Sequence, residues 1–145
     1  MGLKVIFMAT KTTSVYVFWK NRLLLIQRSQ HDENLPSYWE APAGHTDIYV
    51  PSNYDTDTAR QEAARELREE TGIIVNPKRL NFLGMYSNDK HLSYFLDLSS
   101  MESPPEIKLS HEHTAYAWIN PMQDTLPFLL RPEVFSFIKD MNNER

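Results

Sequence analysis

Arg65-Glu66-Leu67-Arg68-Glu69-Glu70-Thr71-Gly72-Ile73 places carboxylates at 66, 69 and 70 in a run that closes on a glycine. On a helix these three and Glu62 fall within an arc of roughly 100°. Glu62/Glu66 and Glu66/Glu70 stand four residues apart, a spacing at which like charges repel. A cation seated on that arc would relieve the repulsion. The plainer alternative is a solvated helix face on which Arg65 pairs with Glu69 at i+4 and with Glu62 at i−3.

Working outward, Thr58 is expected to cap the helix, with Gln61 completing a capping box, and Gly72 to stop it after Thr71. Ala59, Ala63, Ala64 and Leu67 form the apolar side, and Arg60, in the same arc, must snorkel or pair. Val5 to Thr10 and Ser14 to Trp19 carry the β-branched and aromatic residues of strands. Lys20-Asn21-Arg22 separates the second of these from Leu23-Leu24-Leu25-Ile26, which suggests a hairpin. Ser29 to Pro36 and Ser103-Pro104-Pro105 are loops, and Tyr38 to Gly44 is a short extended piece entering a turn. Ile73 to Val75, Leu80 to Tyr86, Leu92 to Leu98 and Thr114 to Ile119 are further expected strands. Pro132 to Met141 is a second helix that buries Val134, Phe135, Ile138 and Met141. Strands and helices intermix, so the class is α/β or α+β with a mixed sheet.

Composition removes several functions. A net charge of −4 argues against an extended nucleic-acid surface, although a few local cations would suffice for a small phosphorylated ligand. With no cysteine there are no disulfides, thiolate zinc sites or thiol nucleophiles, which fits a reducing cytoplasm. Met1 to Thr10 is expected to be a strand rather than a signal peptide. No apolar stretch approaches the about 18 residues that span a membrane. The 145 residues make one domain, 1–145, with no repeat or linker to divide them. The apolar strands permit a homodimer, but no residue pattern specifies one.

Taken together, these residues resemble the Nudix hydrolase family, including its MutT-like members. Every specified position of the family's R-E-U-x-E-E-x-G-U core, with U apolar, is filled from Arg65 to Ile73. Leu24 to Arg28, Trp39 to Gly44 and Glu112-His113-Thr114-Ala115-Tyr116-Ala117-Trp118 resemble the family's flanking segments. The first half of the box departs from the pattern. The usual Glu position holds Asp57, the usual Gly position holds Pro51, and 12 residues intervene between Gly44 and Asp57 where the family has five. The resemblance thus implies a seven-residue insertion that leaves the helix intact and alters the rim of the site.

It also implies the Nudix fold, an α/β/α sandwich about a mixed β-sheet. The implied activity is hydrolysis of a nucleoside diphosphate linked to another group, with Mg²⁺ as cofactor and Mn²⁺ as a substitute. By that resemblance Glu69 and Glu70 are the primary metal ligands, and Glu66 is a ligand or orients the water. The Gly44 carbonyl adds a backbone ligand, and Arg65 braces a neighbouring carboxylate. Glu112 is an extra ligand or general base, or else a plain loop residue. The Glu112 to Trp118 segment looks most like that of hydrolases of (d)NTPs or dihydroneopterin triphosphate. The alternative is a dinucleoside polyphosphate or nucleotide-sugar hydrolase. A non-catalytic ligand-binding domain would be expected to have lost box glutamates, and all are present. An isopentenyl diphosphate isomerase would want cysteine.

The remaining candidates are weaker. Arg28 and Lys90 could bind phosphate, and Tyr49 and Tyr54 in the inserted loop could stack on a base. Trp39, Tyr86, Tyr94 and Trp118 are expected to serve the core rather than stack on substrate. His111 and His113 flank Glu112 in a pattern that invites a metal, yet core-edge or surface histidines are the simpler expectation, as is a solvated His45.

Overall fold

The computed structural model describes residues 12–45, 56–86, 91–123 and 129–143. Strand β1 (Thr12–Trp19) is buried over nearly all of its length. Its two-residue side-chain period divides the core in two. Val15 and Val17 pack on one face with Leu24, Leu67, Leu92, Tyr94 and Leu96. Tyr16 and Phe18 pack on the other with Leu23, Leu25, Ile119, Val134 and Ile138. Strand β2 (Arg22–Arg28) follows a two-residue turn at which Lys20 and Asn21 have φ of 45° and 67°. Positive φ at both positions is what a type I′ hairpin turn requires. Phe18 pairs with Leu23 and Trp19 with Arg22, so Arg22 belongs to the strand.

Beyond those pairs β1 and β2 separate, and the segment carrying β3 (Trp39–Glu40) and β4 (Ala43–His45) fills the fork. β3 pairs with Ile26 and Gln27 of β2, while β4 pairs with Thr12 to Ser14 of β1. The Val15 N–H donates to the Pro42 carbonyl at 2.9 Å and the Arg28 N–H to the Tyr38 carbonyl at 2.8 Å, closing both arms. β1 also runs parallel to β6 (His91–Asp97), β6 pairs antiparallel with β5 (Asn81–Tyr86), and β2 pairs antiparallel with β7 (His113–Ile119). The sheet is therefore mixed.

Helix α1 (Asp57–Thr71) covers the first face through Ala59, Ala63 and Leu67, all fully buried. Helix α2 (Pro132–Asn143) covers the second through Val134 and Ile138. The expected α/β/α layering is thereby realised. Gly72 ends α1 with φ 79°, its N–H returning to the Arg68 carbonyl, a left-handed position suited to glycine. No helix among the described residues is long and apolar enough to cross a membrane.

Several expectations are corrected. Thr56, not Thr58, caps α1, its hydroxyl accepting from the Ala59 N–H at 3.0 Å. This leaves Asp57 in the first turn, where its charge suits the helix dipole. Ile73 to Val75 forms no strand: Ile73 is buried, Ile74 is 82% exposed, and no ladder among the described residues includes them. On α2, Phe135 faces outward, and Phe137 turns inward to stack on Tyr16 with centroids 3.8 Å apart. Val5 to Thr10 and most of the loop before α1 lie outside the described residues.

Candidate functional site

The fork brings the Glu40 to Gly44 segment against the carboxylate face of α1. The Ala43 N–H donates to Glu70 Oε1 at 2.7 Å, which ties the end of the helix to β4. A side chain on Gly44 would overlap the Glu66 carboxyl group. Glycine is thus required at 44 for room, since its neighbour is an acidic head group. We expect Gly44→Ala to displace that flexible carboxylate while costing little folding stability. A carboxylate moved by about 1 Å lowers an enzymatic rate by about tenfold to a hundredfold. Rates and melting curves of the pair check this, and an unchanged rate would mean that Glu66 need not sit at Gly44.

Arg65 occupies the centre of the acidic face. Its guanidinium donates to Glu62 at 2.9 Å, to both oxygens of Glu69 at 2.9 and 3.0 Å, and to Glu66 at 3.2 Å. The bond to Glu62, followed by that to Glu69, raises its already high pKa. One cation therefore fixes three carboxylates of the helix. The pairs with Glu62 and Glu69 are those of the solvated-face alternative, and Glu69 stays exposed, but Glu66 is turned to β4, where it meets Gly44.

Glu70 is not reached by Arg65. It is buried, and its carboxyl group is pushed up to about 9, chiefly by burial and further by Glu40, Glu66 and Glu112, against the lowering bond from Ala43. Ligand atoms of Glu70, Glu112 and His113 lie within 4.8 Å of one another. Glu112 is exposed and held at the mouth of β7, where its carbonyl accepts from the Ser29 N–H at 3.0 Å. This acidic group could hold a divalent metal ion. Oxygen donors suit a hard cation, and a cation beside Glu70 would offset the burial penalty and the repulsion that together keep it protonated.

Behind Glu70 lies a network that the sequence reading did not identify. Glu40, buried on β3, accepts from Arg28 Nη1 at 3.2 Å, Arg131 Nη1 at 3.1 Å and His113 Nε2 at 2.8 Å. Burial alone would raise the Glu40 pKa, but the His113 bond, Arg28 and Arg131 together hold it below the usual carboxylate value. Arg131 arrives because residues 129–131 pair with Trp39: the Trp39 N–H donates to the Leu129 carbonyl and the Arg131 N–H to the Trp39 carbonyl. Arg28, expected as a phosphate contact, is paired instead with Glu40 and, at 2.6 Å, with Asp32. His113, expected at the surface or core edge, is buried. No local sequence signal marks Glu40, whose partners lie 73 and 91 residues away in His113 and Arg131.

Tyr94 is fully buried, and Trp39 and Trp118 pack against the two core clusters, so these three serve the core as expected. Tyr49, Tyr54 and Lys90 lie outside the described residues, as do the side chains of His45 and Tyr86.

Residues 8–141 match the family model described as NUDIX domain. A bis(5'-nucleosyl)-tetraphosphatase [asymmetrical] from Mus musculus is 34% identical over 90 residues, covering 57% of this chain and 55% of that protein. The match thus spans about half the length of that curated relative. Among solved structures, the MutT protein from Methanosarcina mazei Go1 superposes with a TM-score of 0.67 at 20% identity, covering 93% of this chain and 94% of that one. A C. elegans Ap4A hydrolase binary complex does so with a TM-score of 0.62 at 24% identity, covering 92% and 96%. At these identities the two structures speak for the fold alone.

Proposed function

The chain belongs to the Nudix family, and from that premise we propose that it hydrolyses a phosphoanhydride bond of a nucleoside polyphosphate, with a dinucleoside tetraphosphate as its first substrate. The observation that carries the proposal is that Glu66, fixed together with Glu69 by Arg65, meets Gly44, while Glu70, tied to Ala43, lies with Glu112 and His113 in one group of possible ligands. Such a site suits a reaction whose barrier is set by phosphoryl charge and by placing a water in line.

In this reading Glu69 and Glu70 hold a divalent ion, Mg²⁺ with Mn²⁺ as substitute, and Glu66 and the Gly44 carbonyl complete or orient the seat. A divalent ion there supplies neutralisation of phosphoryl charge and a more acidic water. Arg65 keeps Glu66 and Glu69 from turning away and does not touch substrate. In this reading Glu112, at the exposed edge, serves either as a further ligand of that ion or as the base that takes the proton from the attacking water. The water oxygen bonds to phosphorus, the bridging P–O bond breaks, and the displaced nucleotide leaves with the electron pair.

The relative's name supports the dinucleoside tetraphosphate, whose asymmetric cleavage yields a nucleoside monophosphate and a nucleoside triphosphate. The second reading, a (d)NTP or pterin triphosphate cut to monophosphate and pyrophosphate, is supported by the resemblance of Glu112 to Trp118. Incubation with Mg²⁺ and a panel of both classes and nucleotide sugars, with products separated by anion exchange, decides between them. No turnover of any compound by the folded protein would favour a binding domain.

The raised Glu70 pKa adds a pH dependence. A ligand protonated up to about pH 9 in the metal-free protein must lose its proton to bind an ion. Metal affinity should therefore climb with pH through the neutral range and level off near pH 9. Titration calorimetry in buffers of different ionisation enthalpy should show proton release at pH 7. A pH-independent affinity would remove Glu70 from the ligand set.

A further inference from the structure

His113 has two ring nitrogens in different circumstances. Nε2 lies 2.8 Å from Glu40 Oε2, and the side chain is only 2% exposed. Nδ1 is buried, has no hydrogen-bond partner among the described residues and faces Glu70 Oε2 at 3.8 Å. An ionised carboxylate can only accept, so Nε2 carries a proton, and in the neutral form of the ring Nδ1 is then the acceptor. A distance of 3.8 Å is too long for a hydrogen bond. It suits two ligands of one ion, each about 2.1 Å from the metal. Glu112 supplies a third ligand atom within the same 4.8 Å group.

We propose that His113 Nδ1, with Glu70 and Glu112, is a nitrogen ligand of the cation site and gives it a preference for Mn²⁺, Co²⁺ or Zn²⁺ over Mg²⁺. The inference deepens the proposed function by adding a ligand type to that same site, and it rests on the reading of the site as a cation site. Imidazole suits the later divalent metals, whereas Mg²⁺ favours an all-oxygen shell. The surroundings of His113 are those of a metal-bound histidine. Its other nitrogen donates to a carboxylate that fixes the tautomer and the ring orientation. That carboxylate, Glu40, is itself held by Arg28 and Arg131. A histidine serving only to fill the core would not need its unpartnered buried nitrogen turned toward the Glu70 carboxyl group.

The test uses the intact protein loaded with substoichiometric Mn²⁺ and pulsed electron paramagnetic resonance. A ¹⁴N coupling of imidazole type is expected, replaced by a ¹⁵N signature when histidine alone is ¹⁵N-labelled. It should vanish in His113→Gln and persist in His31→Gln, His45→Gln, His91→Gln and His111→Gln. Should His113→Gln fail to fold, persistence in the other four assigns the nitrogen by elimination. By calorimetry, Mn²⁺ affinity should fall tenfold or more in His113→Gln, with a smaller change for Mg²⁺. Glu40→Gln should weaken Mn²⁺ binding about 10- to 100-fold, as loss of an outer-sphere carboxylate does. Bound Mn²⁺ without nitrogen coupling would overturn the inference and leave the hydrolase proposal standing. Absence of any bound Mn²⁺ would remove both.

Discussion

Glu70→Gln should lower kcat by a hundredfold or more, roughly 3 kcal/mol of transition-state stabilisation, without unfolding the protein. In the metal-free state at neutral pH Glu70 is already protonated, and glutamine reproduces its shape and its acceptance of the Ala43 N–H. The sign of the stability change follows from the raised pKa. The unfolded chain ionises near 4.5 and the folded one at about 9, so between those values the folded state binds the extra proton and stability falls as pH rises. Glutamine has no such titration. With chelator present, the variant should melt at or above the wild-type temperature, and its advantage should widen toward alkaline pH. With a divalent ion present the order should reverse, because only the wild type gains full stabilisation from binding. Melting curves with and without metal, alongside initial rates, separate the two effects. A variant that keeps near-wild-type turnover would take Glu70 out of the chemistry. One that unfolds in chelator would make its role structural.

What could be read from the sequence was what is local. Glu62, Glu66, Glu69 and Glu70 share a face by periodicity alone, Gly72 marks the helix end by its tolerance of positive φ, and Lys20-Asn21 marks the hairpin. The failures divide by cause. Three β-branched residues at 73–75 look like a strand in any short window, and only the lack of a partner ladder decides otherwise. Phe135 could have been placed correctly. On a helical wheel the centre of the Val134, Ile138 and Met141 stripe lies roughly 70° from Phe137 and roughly 90° from Phe135, so Phe137 is nearer the buried stripe. Glu40 could not have been, since its environment is assembled from β2, β7 and the entry to α2. The hydrophobic pattern around it, Trp39 and Ala41, even suggests that the intervening carboxylate points outward. The fork between β1 and β2 was likewise invisible, because it depends on two strands diverging after a regular hairpin. That divergence admits the segment of Glu40, Ala43 and Gly44 to the middle of the sheet. The α1 face was legible from periodicity, whereas of the segment that faces it Gly44 was reached only through the family resemblance and Glu40 not at all.

Glu40→Ala should be the most destabilising single change in the neighbourhood of the site. Breaking a buried ion pair by deleting one partner costs about 3–5 kcal/mol, because the remaining charge stays desolvated. Three groups would lose their acceptor at once: Arg28, Arg131 and His113 Nε2. The loss should nevertheless fall toward the lower end of that range. Arg28 keeps Asp32 at 2.6 Å, Arg131 keeps Glu133 at 2.8 Å, and the two arginine side chains are 18% and 31% exposed and can turn to water. His113 has no such escape, and its ring would be free to rotate beneath Glu70. The pH dependence identifies the cause. The Glu40 pKa is lowered on folding, so its contribution is fully present above the unfolded value of 4.5 and is lost as pH falls through the lower native value. The stability gap between wild type and variant, from denaturant titrations, should be widest near neutrality and narrow in acid. A gap independent of pH would assign the loss to the vacated volume rather than to the charge network. If the network is the cause, Glu40→Gln should lose less stability than Glu40→Ala, because an amide oxygen still accepts from an arginine. Turnover should fall in both variants even under conditions where each remains folded, since Glu40 sets the orientation of His113 behind Glu70.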